Sequence, residues 1–184
     1  MILSNSSVFK SFSIVKFIPF KKHYIPIYIE GQYATVANSN ISNSVAKSQS
    51  GYVATNLGGA IYIHGNNANI SYSKIDGSTA MDGGAIYSIG SNSIVYYSNF
   101  TDNLAQANGG AIYWYGGSAA HHNTVEGCVF INNTAYGKTT QNTKGGGAIY
   151  WSEGGTYGVM KDSKFINNSA RTSNKADGGA VLLD

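Results

Sequence analysis

Short apolar segments bounded by Gly, Asn and Ser run through most of the chain. None of them repeats apolar residues at the three- and four-residue spacing of an amphipathic helix over a useful length. The segments are rich in Ile, Val, Phe and Tyr, which favour strands. The pattern therefore predicts an all-β protein of short strands joined by turns.

One block occurs five times with unchanged internal spacing. Each copy has an aliphatic residue first, a small residue fourth, Ile or Phe sixth, Ser or Asn ninth and Ala eleventh. The sixth positions are 34, 25, 30 and 35 residues apart, so the length varies only between blocks, where we predict surface loops. The copies are VANSNISNSVA (36–46), ISYSKIDGSTA (70–80), VYYSNFTDNLA (95–105), VEGCVFINNTA (125–135) and MKDSKFINNSA (160–170).

A second motif accompanies each block. GGAIY stands at 58–62, 83–87, 109–113 and 146–150, and GGAVL stands at 178–182. Units with fixed interiors and variable linkers predict a single-stranded parallel β-helix of about five coils. We place the coils at residues 31–184, and residues 1–30 form a non-repeat N-terminal segment, either a cap or a remnant of upstream sequence.

Equal positions of stacked coils form columns with a spacing of about 4.8 Å. We predict an apolar column and a ladder of side-chain amides that bonds to the coils above and below. We also predict that the double glycines allow a positive φ or a close backbone approach. The apolar column contains Phe100, Phe130 and Phe165, and the amide ladder contains Asn103, Asn133 and Asn168.

FINNTA (130–135), FINNSA (165–170) and GGAIY resemble the repeats of chlamydial polymorphic membrane proteins and of adhesin-like surface proteins of methanogenic archaea. The resemblance covers residues 31–184, although the first two units carry Ile and Ser in place of the complete F-x-x-N. It implies a right-handed parallel β-helix of the pectate-lyase type (pectin lyase fold), displayed at a cell surface in an adhesive or structural role. Because the chain stops at GGAVLLD within a coil, we expect a fragment of a longer surface protein, truncated at its C-terminus.

Charge and targeting signals add little to this account. The net charge of +3 arises within residues 1–30, and the remainder holds 8 basic and 8 acidic residues, so we expect no nucleic-acid partner. Lys16 interrupts the apolar run near the N-terminus, and no apolar span of about 18 residues exists. The sequence therefore predicts neither a secretory signal nor membrane insertion, and a cell-surface or extracellular location follows from the resemblance alone.

Carboxylates are the candidates for catalysis, because many pectin-active β-helix enzymes use clustered Asp as calcium ligands or as acid and base. Asp82 and Asp177 directly precede double glycines but lie about three coils apart. Asp76 and Asp102 follow core positions on neighbouring coils and could approach each other. We interpret all four as solvated turn residues and predict no enzyme activity.

The histidines and the cysteine show no sequence pattern of a metal site or of a catalytic nucleophile. The four histidines lack the spacing of a ligand set, and GGAIY lacks the Asp of calcium-binding glycine-rich repeats. Cys128 takes the position that Ser holds in the other four units, so we interpret it as a small column residue. We predict no metal and no cofactor. The histidines are His23, His64, His121 and His122.

A repeated aromatic position is the sharpest candidate for binding. Because neighbouring side chains of a strand point to opposite faces, the Tyr of GGAIY faces outward if the preceding Ile faces the core. We predict an exposed aromatic ladder that stacks on sugar rings or contacts a protein. Two other interpretations stay open: partly buried tyrosines, or a ladder that stacks on itself without a ligand. The ladder comprises Tyr62, Tyr87, Tyr113, Tyr150, Trp114 and Trp151.

The function predicted on these grounds is a non-enzymatic, adhesin-like module that presents a repetitive binding surface. Its partners would be surface glycans or proteins of a host or neighbouring cell. The alternatives are a carbohydrate-active enzyme of the same fold and a purely structural spacer. An enzyme needs a cleft with paired acids on adjacent coils, an adhesin needs an exposed aromatic or polar stripe, and a spacer needs neither.

Overall fold

The computed structural model describes residues 15–16, 27–46, 56–116, 122–137, 145–152, 157–171 and 178–183. Across these ranges the secondary structure consists of strands of two or three residues, without a helix. The strands form four sheets, to each of which successive repeat units contribute. The prediction of an all-β, parallel β-helix is confirmed, whereas its handedness and number of coils stay predictions. No helix in the described part of the chain has the length and apolarity needed to cross a bilayer.

The four sheets are named here in the order in which one unit visits them, beginning with the sheet of the GGA motif. Sheet I contains Val15–Lys16, Ile27–Ile29, Ile61–Ile63, Ile86–Ser88, Ile112–Trp114, Ile149–Trp151 and Val181–Leu183. Sheet II contains Thr35–Ala37, Asn69–Ser71, Ile94–Tyr96, Thr124–Glu126 and Val159–Lys161. Sheet III contains Asn40–Ser42, Lys74–Asp76, Asn99–Thr101, Val129–Ile131 and Lys164–Ile166. Sheet IV contains Thr79–Ala80, Leu104–Ala105, Thr134–Ala135 and Ser169–Ala170.

Equal positions of the repeat pair with each other in register. Phe100, for example, pairs with Ile75 on one side and with Phe130 on the other. Every strand pair between units is parallel, and Val15–Lys16 pairs antiparallel with Ile27–Ile29. The invariant spacing of the sequence blocks is thus the spacing of hydrogen-bonded columns.

The core follows from the two-residue alternation of strands. In sheets II and III the middle residue points inward, as Val95 and Phe100 do, whereas in sheet I the first and third residues point inward. Phe130 stacks between Phe100 and Phe165 with ring centroids 4.9 Å apart on both sides. Burial of these columns supplies the main hydrophobic stabilisation.

Amide side chains cross from coil to coil beside the Phe column. The Oδ1 of Asn133 accepts hydrogen bonds from the backbone N–H and from the Nδ2 of Asn103, at 3.1 and 3.0 Å. The Nδ2 of Asn133 donates to the Oδ1 of Asn168 and to the carbonyl of Phe100, both at 2.9 Å. Buried turn groups are thereby satisfied by the neighbouring coils.

The double glycine forms the corner that leads into sheet I, and its two residues are required for different reasons. Gly83 has φ +62°, which disfavours a side chain. Gly84 has an ordinary φ, but a Cβ there would collide with the carbonyl oxygen of Gly110 in the next coil. Both predicted reasons for the motif, a positive φ and a close backbone approach, therefore occur.

Candidate binding surface

The tyrosines of GGAIY form one column on the outer side of sheet I, opposite the buried isoleucines. Tyr62 stacks on Tyr87 with centroids 5.3 Å apart, and Tyr113 stacks on Tyr150 at 5.0 Å. The rings of Tyr87 and Tyr113 meet edge to face at 5.1 Å. Tyr28 extends the column by stacking on Tyr62 at 5.3 Å.

These rings cover one another, so the column is not the exposed ladder that was predicted. Tyr87 and Tyr150 are only 7% and 4% exposed, and Tyr62 and Tyr113 are half-buried. Burial raises the pKa of Tyr87 far above its ordinary value, and the nearby Tyr113 and Tyr62 contribute to the shift. The ring faces are occupied by self-stacking, and a binding role for this column stays a prediction.

The two tryptophans lie in the core, so their predicted place in an exposed ladder is wrong. Trp114 and Trp151 are 1% and 5% exposed, and their rings lie 4.8 Å apart. The physical reason is strand alternation: Trp114 is two residues after Ile112 and therefore shares its inward face. Neither indole N–H has a hydrogen-bond partner among the described residues.

A different group of tyrosines is exposed, at the corner between sheets II and III. Here the chain turns through one residue in the left-handed region, and the stacked coils place Asn38, Tyr72, Tyr97, Gly127 and Asp162 in one column. Tyr72 and Tyr97 have φ +48° and +41° and are 58% and 49% exposed. A bulky residue is an outlier in this conformation.

The exposed rings hold each other in place. Tyr72 and Tyr97 lie parallel within 8°, with centroids 5.9 Å apart. Tyr96 meets Tyr97 edge-on at 4.3 Å and Tyr72 edge-on at 5.7 Å. On its other side, Tyr97 packs against Gly127. These contacts restrict the rotamers of the rings, and such preorganisation would lower the entropic cost of binding a ligand.

A shallow groove of about 650 Å³ opens beside these tyrosines. Its surroundings are polar and mostly uncharged. Among the described residues that line it, Lys74 is the one cation, and its Nζ lies 3.6 Å from the Oδ1 of Asp76. The groove is lined by Asn38, Ser39, Asn40, Tyr72, Ser73, Lys74, Tyr97 and Asn99.

Two of the four candidate acids, Asp82 and Asp76, are engaged in local contacts. Asp82 Oδ1 accepts hydrogen bonds from the backbone N–H and the Nδ2 of Asn108, both at 3.0 Å. Burial raises the pKa of Asp82, and these two hydrogen bonds partly oppose the shift. Asp76 contacts Lys74, and Asp102 is an exposed corner residue with φ +54°. Asp177 lies outside the described residues.

Cys128 lies in the column of small residues that directly follows the corner between sheets II and III. It is fully buried, and its N–H donates to Ser163 Oγ at 3.1 Å, as the N–H of Ser73 does to Ser98 Oγ. Burial raises the pKa of the thiol to about 11, which keeps the reactive thiolate scarce at neutral pH.

The described histidines are separate from one another. His64 is exposed, and His122 stacks on Tyr157 with centroids 4.8 Å apart. His23 and His121 lie outside the described residues. Within the described ranges, no group of three or more His, Cys, Asp or Glu side chains could hold a metal ion.

Two features of the surface escaped the sequence interpretation. Tyr28 was missed because Ile27–Ile29 was assigned to the non-repeat segment, although IYI recurs at 61–63. Tyr72 and Tyr97 were missed because the other three described positions of their column carry Asn, Gly and Asp. The available signal was the pair Tyr-Ser at equal positions, 72–73 and 97–98.

Comparison with known proteins supports the repeat assignment. The Chlamydia polymorphic membrane protein repeat matches residues 97–113 and 127–150. Both segments contain a complete F-x-x-N and a complete GGAIY, so the predicted resemblance is confirmed at the level of the repeat. No curated protein and no solved structure matches the chain.

Proposed function

We propose that this chain is a non-enzymatic, adhesin-like module of a cell-surface protein and that it presents a repetitive binding surface. The surface location comes from the repeat match, since the matched family is named for the polymorphic membrane proteins of Chlamydia. The β-helix supplies a rigid wall on which side chains of successive coils stand side by side.

The exposed corner tyrosines are the observation that favours binding over a spacer role. Tyr72 and Tyr97 adopt a left-handed conformation that disfavours aromatic residues and are about half exposed. If the corner only had to let the coils stack, Asn or Gly would be sufficient, and these residues stand at positions 38 and 127 of the same column. Backbone strain of this kind clusters at functional sites, and Tyr72 and Tyr97, unlike Tyr157 with φ +62°, line a groove.

The polar character of the groove favours binding over hydrolysis. Of the described residues that line it, none is Asp or Glu, so they offer no pair of carboxylates of the kind that glycoside hydrolysis uses. Asp82 stands elsewhere and accepts two hydrogen bonds from Asn108. A ligand in this groove would be held rather than cleaved. Glycans or proteins of a host or neighbouring cell are the partners we propose.

Adhesion can be measured directly with fluorescent beads that carry the chain. Beads coated with the chain should remain on a layer of cultured epithelial cells under flow, whereas beads coated with serum albumin should wash away. Equal loss of both kinds of bead would contradict adhesion to these cells and favour the spacer role.

The enzyme alternative needs a separate readout. Fluorescent polysaccharides incubated with the chain should elute from a size-exclusion column at their original length. Shortened products would contradict the non-enzymatic proposal and direct attention to Asp76 and Asp102.

A further inference from the structure

The groove at the corner between sheets II and III has the chemistry of a sugar site. We infer that it binds a pyranose residue of a neutral glycan, with the ring of Tyr72 as the stacking platform. This inference rests on the proposed function, because it names the ligand class of the proposed binding surface.

The stack of tyrosines leaves one ring face open. Tyr97 has Gly127 on one side and Tyr72 on the other. Ala37 pairs with Ser71, so the residue next to Tyr72 in the preceding coil is Asn38. Asn38 carries no ring, and the stack therefore ends at Tyr72, where the groove opens.

A pyranose ring complements this open face. Its axial C–H bonds form a flat apolar surface of slightly positive potential, and the face of an aromatic ring is apolar with negative potential. The groove volume of about 650 Å³ lies within the range of small-molecule sites.

The polar lining matches hydroxyl groups. Asn38, Asn40 and Asn99 are exposed, and each side-chain amide offers both a donor and an acceptor. A sugar hydroxyl also donates and accepts, so vicinal hydroxyls can bridge such amides.

The charge and the composition of the groove lining further restrict the class of ligand. Lys74 is balanced by Asp76, so the described lining residues include no uncompensated cation that would favour an acidic sugar. None of the described lining residues is aliphatic, so these residues offer no aliphatic pocket for the buried anchor residue that is common at protein interfaces.

The test uses the full chain in isothermal titration calorimetry with cellotetraose, mannotetraose and chitotetraose. At least one of them should bind with a Kd of about 1 mM or tighter. The Tyr72→Asn variant should bind at least about tenfold more weakly. Tyr157→Asn is the matched control: Tyr157 has φ +62° and is 71% exposed, but lies outside the groove. This variant should bind as the wild type does.

Stability separates a binding residue from a packing residue. Asn suits the left-handed conformation, so Tyr72→Asn should not lower Tm. If that variant nevertheless fails to fold, Asn99→Ala replaces an exposed residue of the groove, and binding should weaken about threefold or more.

Two results would overturn the inference: no binding of any tetrasaccharide at about 10 mM, or equal binding by wild type and Tyr72→Asn, whether or not Tm falls. Beads that still adhere to cells when no glycan binds would leave the adhesin proposal standing and overturn only the sugar site. Glycan binding without adhesion of the beads would leave the sugar site standing and overturn the adhesin proposal.

Discussion

Tyr97 lies across Gly127 of the neighbouring coil, so closely that a Cβ on Gly127 would stand 2.8 Å from Tyr97 Cε1. Gly127 also has φ +63°, a conformation that suits glycine. The missing side chain at position 127 thus lets the Tyr97 ring pack against the wall and support Tyr72 beside it.

Gly127→Ala should therefore affect both stability and the groove. The left-handed backbone predicts a loss of about 1–2 kcal/mol in the free energy of unfolding. The new methyl group should also push the Tyr97 ring outward and weaken glycan binding. Urea denaturation and calorimetry measure the two effects.

Gly77→Ala is the control for that variant. Gly77 has φ +60° on the corner after sheet III, where a Cβ would meet Asn43 Oδ1 at 2.6 Å rather than a tyrosine. It should lose similar stability and keep the groove intact. Equal binding by both variants would show that Gly127 does not position Tyr97.

Asn133→Ala should destabilise the protein by about 3 kcal/mol, because it leaves buried hydrogen-bonding groups on two coils without partners. Asn133 is fully buried and bonds to Asn103 and Asn168. Its sequence neighbour Asn132 is exposed with φ +55°, so Asn132→Gly should change the free energy of unfolding by only about 0.5 kcal/mol or less. Equal effects in urea denaturation would refute the amide ladder.

Phe130→Ala should cost about 3–5 kcal/mol, because the cavity would open between two stacked rings. Phe130 is fully buried, whereas Phe165 is only partly buried and has one ring neighbour in the column. Phe165→Ala should accordingly cost less. An unchanged Tm for Phe130→Ala would contradict the place of Phe130 in a buried column of stacked rings.

The pH dependence of stability should reflect Cys128. Burial raises the pKa of its thiol to about 11 in the folded protein, so the folded state holds this proton more tightly than the unfolded state. The contribution is complete below about pH 9 and is lost as the pH rises towards 11, on the order of 2 kcal/mol in all.

Cys128→Ser isolates this contribution, since Ser stands at the same position in the other units. The raised pKa of Tyr62 and of Tyr87 acts in the same direction and is retained in the variant. The free energy of unfolding should therefore fall less steeply between about pH 9 and 11 in Cys128→Ser. If the free energy of unfolding falls equally steeply with pH in the wild type and in Cys128→Ser, the raised pKa of Cys128 is contradicted.

Columns of one residue type could be predicted from sequence, because in-register parallel pairing turns a fixed repeat spacing into physical stacking. Phe130 and Asn133 illustrate this, since each meets its own kind in a neighbouring coil. The core position of Trp114 was within reach as well, because alternation from Ile112 places it inside. The prediction of an exposed Trp114 is wrong because it gives Trp114 the outward face of its neighbour Tyr113, whereas alternation gives it the inward face of Ile112.

The groove could not be predicted in the same way. It depends on a difference between coils: Asn38 ends the stack, Tyr72 opens its ring face, and Gly127 makes room for Tyr97. A search for equal residues at equal positions finds Tyr72 and Tyr97 but not the contributions of Asn38 and Gly127. Only the juxtaposition in three dimensions shows that unlike residues at one corner build a cavity.

The central claim is that the corner tyrosines serve binding rather than folding. It is tested most directly by the double variant Tyr72→Asn/Tyr97→Asn, measured for both the free energy of unfolding and bead adhesion. We predict an unfolding free energy within about 1 kcal/mol of the wild type and loss of bead retention under flow. Undiminished retention, or a loss of stability above about 3 kcal/mol, would contradict the claim.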